Sequence, residues 1–121
     1  MTDKRIMIVD DCDTTRKLLS YIMRERGYKI TTASNGIEAL EMLATNPVDL
    51  VVTDLNMPQM DGVELSKSIR HNDTHSKIPI IMVTTEAGEN DRKLGIEAGV
   101  TTYLTKPISP QRLLYEIEKI L

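Results

Sequence analysis

The chain has 121 residues, of which 40% are hydrophobic and 27% are charged, and its formal net charge is −3. This length fits a single core, and we expect residues 1–121 to form one domain. The lack of a basic block argues against nucleic-acid binding, and no apolar stretch approaches the ~20 residues that span a bilayer. The single cysteine, Cys12, excludes an internal disulfide, and the polar start Met1–Arg5 is unlike a secretory signal. We expect a cytoplasmic protein that acts as a monomer and binds neither nucleic acid nor membrane.

The chain opens with a predicted strand and a predicted helix. The apolar run Ile6–Val9 predicts a buried strand, and it ends at the carboxylates Asp10–Asp11. Asp13 is expected to cap a helix over residues 13–26, and Gly27 is expected to follow its end. The residues expected on the buried side of this helix are Leu18, Leu19, Ile22 and Met23.

The next stretch contains an edge strand, a short helix and the most apolar strand. Lys29–Ala33 alternates weakly, which predicts the edge strand. Asn35–Glu38 resembles a capping box and starts a helix that Asn46–Pro47 ends. The residues expected to point inward from this helix are Ile37, Leu40 and Leu43. Leu50–Thr53 is a β-branched run typical of a strand buried on both faces, and it ends at Asp54.

The pattern then repeats with a helix, a strand and a helix. Asp61–Glu64 opens a third helix, which Leu65 and Ile69 are expected to anchor. Ile78–Val83 predicts a buried fourth strand. Glu89–Ala98 predicts a weakly amphipathic helix that contains one glycine and is followed by another. We expect this fourth helix to be the most mobile.

The last elements complete a regular alternation of strands and helices. Thr101–Leu104 predicts a fifth strand, which leads to Lys106–Pro107. Ser109–Pro110 supplies an N-cap and a first-turn proline for a last helix. Its expected inward residues are Leu113, Leu114, Ile117, Ile120 and Leu121. Five strand–helix units predict a doubly wound α/β fold with a five-stranded parallel sheet, flavodoxin-like, for which the known strand order is 2-1-3-4-5.

Polar side chains stand at the ends of four of these predicted strands. Asp10–Asp11 follow the first, Asp54 the third, Thr84 the fourth and Lys106 the fifth. The carboxyl ends of parallel strands meet at one edge of a sheet, so these groups are expected to converge there. Three carboxylates repel each other unless a cation is present, and Mg²⁺ prefers such oxygen ligands. With the lysine and the hydroxyl they resemble a cradle for a phosphoryl group, and a carboxylate such as Asp54 can be the nucleophile.

These motifs together resemble the receiver domain of two-component response regulators, at matching spacings over the whole chain. The motifs are Asp10–Asp11, Asp54–Gly62, Thr84 and Lys106–Pro107. The resemblance implies that Asp54 accepts a phosphoryl group from a sensor histidine kinase. It also implies that Mg²⁺ binds Asp11, Asp54 and the backbone carbonyl of Asn56, with Asp10 acting directly or through water.

The resemblance further implies how the phosphoryl group is sensed. Lys106 would bind a phosphoryl oxygen, and the Lys106–Pro107 peptide is expected to be cis. Thr84 would move its hydroxyl toward the phosphate, and Tyr103 would turn inward behind it. Such a change is a population shift between two existing states, here of the face made by helix four, strand five and helix five.

Some positions tune or depart from the common pattern of this family. Thr85 stands where many relatives carry Ala or Gly, and its size is expected to slow self-dephosphorylation by crowding the phosphoryl group. Asn56 and Glu86 match a pair found in chemotaxis-type relatives. Motor-binding relatives carry aliphatic and lysine residues on the output face, at positions that align here with Glu89, Arg92 and Glu116. Binding to a flagellar motor therefore does not follow from the resemblance.

Two other functional classes use similar residues. An aspartate-nucleophile phosphatase would place a second acid two residues after its nucleophile, where this chain has Asn56. A flavin-binding electron carrier would need a phosphate-binding loop after its first strand, where Asp10–Asp13 would repel phosphate. We therefore expect a receiver rather than either of these.

The expected output is a contact with a downstream protein. Because the last helix ends at Leu121, we expect no further output domain. A diffusible regulator of the chemotaxis type, a phosphorelay intermediate and a receiver from a hybrid kinase stay open. The downstream target would be a flagellar motor, a histidine phosphotransfer protein or another protein.

Overall fold

The computed structural model describes residues 3–121, in which five strands and five helices alternate. The strands are β1 (Arg5–Val9), β2 (Lys29–Ala33), β3 (Leu50–Thr53), β4 (Ile80–Thr84) and β5 (Thr102–Thr105). The helices are α1 (Asp13–Glu25), α2 (Gly36–Leu43), α3 (Gly62–His71), α4 (Glu89–Glu97) and α5 (Pro110–Ile120). Every neighbouring pair of strands is parallel, in the order β2-β1-β3-β4-β5. The predicted doubly wound fold and its strand order are confirmed. The character predicted for residues 1–2 lies outside the described part of the chain.

The central strands β1, β3 and β4 are buried on both faces, which explains their continuous apolar sequences. Ile6 and Ile8 of β1 face one side, where they pack in a cluster with α1 and α5. Met7 and Val9 face the other side, where α2 and α3 cover them. Burying one large apolar side chain contributes about 1.5–3 kcal/mol, so the two layers fix the register of each strand. Among residues 3–121, no helix is long and apolar enough to cross a bilayer.

Helix α1 differs from its prediction at its start and on one face. Its N-cap residue is Cys12, so the prediction for Asp13 is wrong, and Asp13 instead pairs with Arg16 within the first turn. Leu18 is 56% exposed although it was expected to be buried. The prediction placed four apolar residues on the buried side of the helix, which is more than its contact with the rest of the fold accommodates. The buried residues of α1 are Ser20 and Met23.

In helix α2, too, the buried face differs from the predicted one. Ile37 is 42% exposed, contrary to prediction, while Ala39 is fully buried. The inward residues lie three or four positions apart, and Ile37 falls one position away from that stripe. Asn35 caps the helix by accepting from the N–H of Glu38 at 2.8 Å. The Glu38 carboxylate accepts from the N–H of Ser34 at 3.0 Å, one residue before the cap. The capping box was expected to contain two hydrogen bonds between Asn35 and Glu38, and only the one accepted by Asn35 is formed.

Several predicted boundaries shift by one to three residues. Strand β4 is Ile80–Thr84 rather than 78–83, and β5 is Thr102–Thr105 rather than 101–104. Helices α1 and α4 each end one residue early, and α2 ends at Leu43, before the expected Asn46–Pro47. Gly27 and Gly99 follow helix ends with φ of 90° and 102°, the left-handed conformation that glycine adopts without strain.

Arg70 links three separate segments on the side of the sheet covered by α3. Its guanidinium donates to the carbonyl of Gly99 at 2.7 and 3.0 Å, and to those of Ser76 at 3.0 Å and Ile78 at 2.6 Å. Burial lowers the pKa of this guanidinium. Arg70 therefore ties the end of α3 to the connections before β4 and β5.

Candidate functional site

The predicted site residues lie at the carboxyl edge of the sheet, where backbone hydrogen bonds continue past the strands. Asp10 N–H donates to the carbonyl of Ala33 at 3.1 Å, and Asp54 N–H donates to that of Val9 at 3.0 Å. Lys106 N–H donates to the carbonyl of Thr84 at 2.7 Å. These bonds fix the backbone of each residue that follows a strand, so that the side chains project from a rigid edge.

Three carboxylates converge at this edge. Asp10, Asp11 and Asp54 each have an oxygen within 4.8 Å of the others, and within residues 3–121 this is the only such cluster of potential metal ligands. Asp10 Oδ1 accepts from the N–H of Cys12 at 2.9 Å. Asp54 Oδ1 accepts from the N–H of Leu55 at 2.7 Å. Each of these two carboxylates therefore has one oxygen held by the backbone and one free for other partners.

The free oxygens of both carboxylates face Lys106. Its Nζ lies 3.5 Å from Asp54 Oδ2 and 3.7 Å from Asp10 Oδ2. Burial raises the pKa of Asp10, and the charges of Asp54 and Asp11 add to this effect, while the Cys12 N–H and Lys106 oppose it. The Lys106–Pro107 peptide is cis, as predicted. One ammonium thus balances only part of the negative charge.

The loop between β3 and α3 passes very close to Asp54. A Cβ on Gly62 would collide with the carbonyl oxygen of Asp54 and would lie 2.9 Å from Cε of Met82. The N–H of Gly62 donates to the carbonyl of Leu55 at 2.8 Å, which closes the loop. Gln59 has a φ of 70° in this loop, an uncommon conformation for a residue with a side chain. Glycine at 62 is therefore what lets the loop return beneath the site.

Glu86 connects three of the predicted tuning and switch residues. Its N–H donates to the hydroxyl of Thr84 at 3.2 Å, and its carbonyl accepts from the hydroxyl of Tyr103 at 2.6 Å. Its carboxylate accepts from the amide of Asn56 at 3.2 Å. The two bonds that Glu86 makes through its backbone were not predicted from the sequence, because they depend on the course of a loop.

Tyr103 is buried and turned inward, and its surroundings were not predicted. A Cβ on Gly95 would lie 3.1 Å from Cδ2 of the Tyr103 ring, so this glycine leaves room for the tyrosine. The Arg92 guanidinium lies 5.7 Å from the ring centroid. Burial raises the pKa of Tyr103, and the charges of Asp91 and Glu86 add to this effect. The expected mobility of α4 stays a prediction.

Three further residues singled out in the sequence lie apart from the carboxylate cluster. Thr85 is exposed and lines a groove with Leu18 and Lys106 beside the acidic site. Glu89 is exposed on α4. Glu116 is buried on α5, where it pairs with Arg112 at 3.1 Å and Lys119 at 3.2 Å.

Arg16, which was not predicted, donates to the carbonyl of Asp10 at 2.7 Å.

The fold and this edge of the sheet correspond to a known family. Residues 6–118 match the model of the response regulator receiver domain. The chain belongs to this family. The receiver is therefore a signalling domain of two-component systems, in which such domains act with sensor histidine kinases and downstream targets.

Curated relatives of the receiver include short and long proteins. It is 37% identical over 119 residues to the chemotaxis protein CheY1 of Helicobacter pylori, a match that covers 97% of this chain and 96% of CheY1. It is 39% identical over 119 residues to the alkaline phosphatase synthesis transcriptional regulatory protein PhoP of Bacillus subtilis. That match covers 98% of this chain, which spans about half of PhoP (49%).

Solved structures agree with the same assignment. The chemotaxis response regulator CheY4 of Vibrio cholerae superposes with a TM-score of 0.93 at 33% identity, over 99% of this chain and 100% of that one. The receiver domain of the sensor histidine kinase PA1611 of Pseudomonas aeruginosa PAO1 superposes with a TM-score of 0.90 at 26% identity, over 98% of both chains. That structure holds a magnesium ion coordinated in its active-site cleft.

The phosphatase and flavin alternatives receive no support from the geometry. Asn56 donates its amide to Glu86 and has no acidic proton to transfer to a leaving group. The cluster of Asp10, Asp11 and Asp54 with Lys106 keeps a formal charge of −2, which would repel the phosphate of a flavin. Both the family and the site favour a receiver.

Proposed function

We propose that the receiver accepts a phosphoryl group on Asp54 from a phosphohistidine of a sensor kinase, in a Mg²⁺-dependent reaction. The observation that carries this proposal is the position of Asp54 Oδ2, at the end of β3 and 3.5 Å from Nζ of Lys106. Because the N–H of Leu55 holds Oδ1, Oδ2 is the oxygen left to attack phosphorus. As the O–P bond forms, the N–P bond of the donor breaks, and the imidazole leaves with the electron pair of that bond.

The acidic cluster fits a hard divalent cation. Its three carboxylates lie close together, and with Lys106 they keep a formal charge of −2, which a divalent ion neutralises. We propose that Mg²⁺ is held by Asp11, Asp54 and the backbone carbonyl of Asn56, with Asp10 contributing directly or through water. When bound, the ion would supply charge neutralisation for the transferred phosphoryl group.

Lys106 and Thr84 are the proposed contacts of the transferred phosphoryl group. When Asp54 Oδ2 bonds to phosphorus, the negative charge moves from the carboxylate to the phosphoryl oxygens. The Lys106 ammonium, which already faces Oδ2, would follow that charge. The Thr84 hydroxyl accepts from the N–H of Glu86, so its own proton is available to donate to a phosphoryl oxygen.

The proposed switch passes through Glu86 to the face formed by α4, β5 and α5. A movement of Thr84 toward the phosphate would lengthen its bond with the Glu86 N–H. The Glu86 carbonyl accepts a hydrogen bond from the Tyr103 hydroxyl, so a shift of this loop would alter that bond and the position of the tyrosine. Phosphorylation would thereby alter the relative populations of two arrangements of the output face.

The lifetime of the phosphorylated state is proposed to depend on the loops around the site. Thr85 lines the groove beside Lys106, where its side chain would limit the approach of water to phosphorus. Asn56 and Glu86 are joined by a hydrogen bond and are proposed to tune the same step. The receiver would catalyse only its own phosphorylation and dephosphorylation.

The proposed setting is a cytoplasmic signalling pathway in which residues 1–121 act as one monomeric receiver. The match to nearly the whole of CheY1 supports a diffusible regulator of the chemotaxis type. A phosphorelay intermediate that passes its phosphoryl group to a histidine phosphotransfer protein is the alternative output. The single exposed Cys12 fits a reducing compartment.

The proposal is tested by intact-mass measurement after incubation with acetyl phosphate. We expect one phosphoryl group to be added when Mg²⁺ is present, and none in EDTA. The Asp54→Asn variant keeps the size of the side chain but removes the nucleophile, and it should not be modified. Addition without Mg²⁺, or no addition from either acetyl phosphate or a phosphorylated histidine kinase, would contradict the proposal.

A further inference from the structure

Strand β2 forms one edge of the sheet and, within the described residues, pairs with β1 alone. The N–H of Lys29 donates to the carbonyl of Lys4 at 3.0 Å, and the carbonyl of Ala33 accepts at 3.1 Å from the residue that follows β1. Backbone groups of successive strand residues point in alternate directions, so Ile30 and Thr32 turn theirs away from β1. Two N–H donors and two carbonyl acceptors on this edge are therefore open to another strand.

A groove of about 500 Å³ lies beside this edge, between α1 and β2. Thr32 lines it from β2, and the α1 residues that line it include Lys17, Tyr21 and Arg24. These three residues stand four and three positions apart in the sequence, so they share one face of the helix. The Tyr21 side chain is 63% exposed. The open strand edge is thus bordered by a helix face that carries cations and an aromatic ring.

The groove is positively charged, in contrast to the net charge of −3 of the whole chain. The charged residues that line it are the cations Arg16, Lys17 and Arg24 and one carboxylate, Glu25. Arg16 pairs with Asp13, whereas Lys17 and Arg24 take part in no ion pair within residues 3–121. Seven residues of a helix rise by about 10 Å, so these two free cations are well separated along α1. Their separation favours a ligand with spaced carboxylates over a single small anion.

We propose that β2 binds an extended segment of a partner protein as an added strand, whose glutamate or aspartate side chains at alternate positions face Lys17 and Arg24. Alternate residues of a strand lie about 7 Å apart on one face, a spacing that the long lysine and arginine side chains can bridge. Backbone bonds to Ile30 and Thr32 would supply affinity, and the carboxylates in the groove would supply specificity. A second copy paired edge to edge in antiparallel fashion would place α1 beside α1 and oppose like charges, so an acidic partner fits better.

This edge is remote from the proposed output face. Strands β2 and β5 are the opposite edges of the sheet, and α1 and α2 are the helices that contact β2. A partner bound to β2 would therefore leave the face formed by α4, β5 and α5 uncovered. The receiver could hold such a partner in both states of the proposed switch, and the inference does not depend on phosphorylation of Asp54.

The test is an NMR titration of the full chain with a synthetic peptide of about seven residues in which glutamate alternates with threonine. A matched peptide carries glutamine in place of each glutamate. We expect the acidic peptide to bind about fivefold more tightly at low ionic strength, and at saturation to slow amide hydrogen exchange at Ile30 and Thr32 about tenfold. Lys17→Gln or Arg24→Gln should reduce the preference to about twofold, and Lys93→Gln, which removes an exposed charge of α4, should preserve it.

Two N-methylated forms of the acidic peptide test the backbone pairing. One form is methylated on its glutamate nitrogens and the other on its threonine nitrogens. Only one edge of an added strand faces β2, so one form should bind and the other should not. Equal affinity of the two methylated forms, equal affinity of the glutamate and glutamine peptides, or unchanged exchange at Ile30 and Thr32 would overturn the inference. Slow exchange of these two amides without peptide, together with a dimer in sedimentation, would assign the edge to a second copy and would also overturn it.

Discussion

Replacing Lys106 by methionine tests whether this ammonium holds the acidic cluster together when no cation is bound. Its Nζ lies 3.5 and 3.7 Å from the carboxylates of Asp54 and Asp10, which are 13% and 5% exposed. At an effective dielectric constant near 20, each attraction is about 4–5 kcal/mol before the cost of desolvation is subtracted. Removing one partner of a buried pair typically costs about 3–5 kcal/mol. The Lys106 side chain is 27% exposed, so solvent screens part of the attraction and the loss should lie at the lower end of this range. We therefore expect the free energy of unfolding to fall by about 3 kcal/mol in EDTA.

Mg²⁺ should reduce this loss, because the ion and the ammonium compete for the same carboxylate oxygens. Without the competing ammonium, Lys106→Met should bind Mg²⁺ more tightly, and a ligand stabilises the folded state more when it binds more tightly. Mg²⁺ should therefore raise the free energy of unfolding of Lys106→Met by about 1–2 kcal/mol more than that of the original protein. Urea unfolding in EDTA and in saturating Mg²⁺ measures both quantities. Lys67→Met, which removes an exposed lysine of α3, is the matched control and should change stability by less than about 0.5 kcal/mol. A loss of the same size with and without Mg²⁺ would show that Mg²⁺ does not replace the Lys106 ammonium at these carboxylates.

Three further substitutions probe the lifetime of the phosphorylated state, the loop beneath the site and the attachment of α3. Thr85→Ala should hydrolyse its aspartyl phosphate about threefold faster, a barrier change of about 0.6 kcal/mol, as followed by intact mass, and an unchanged decay rate would contradict the proposed crowding. Gly62→Ala should lower the free energy of unfolding by about 2–3 kcal/mol and slow phosphorylation, because the new methyl group meets the carbonyl of Asp54. Unchanged stability in urea would contradict this packing. Arg70→Met should cost about 3 kcal/mol in the same assay, with Lys67→Met as control, and a loss below about 1 kcal/mol would mean that its carbonyl partners find other donors.

The sequence predicted the order of the elements better than the faces of the helices. Continuous apolar runs such as Leu50–Thr53 are typical of strands that are covered on both sides, and together with the regular alternation of elements they indicated the doubly wound sheet. Leu18 and Ile37 were wrongly expected in the core because each predicted stripe contained more apolar residues than the sheet contact could accept. Strand ends shifted by a residue or two because the neighbouring strand decides where the ladder stops.

The site was predictable where it depends on strand ends and unpredictable where it depends on loop packing. Asp10, Asp54 and Lys106 come together because parallel strands finish at one edge, which the sequence pattern already indicates. The carbonyl of Glu86 and the room that Gly95 leaves for an aromatic ring arise from the course of a loop and the position of a helix. Such contacts join residues far apart in sequence, and no local pattern specifies them.

Locating the phosphoryl group on the chain is the most direct test of whether Asp54 accepts it. Loss of modification in Asp54→Asn shows that the residue is needed, but a lost Mg²⁺ ligand would have the same effect. Borohydride reduction of the phosphorylated protein converts an aspartyl phosphate to homoserine, and tandem mass spectrometry then reads its position. If Asp54 is the phosphoacceptor, homoserine is expected at position 54 alone, and only after incubation with Mg²⁺. Homoserine at Asp10 or Asp11, or a phosphoryl group that survives reduction on a hydroxyl, would contradict it.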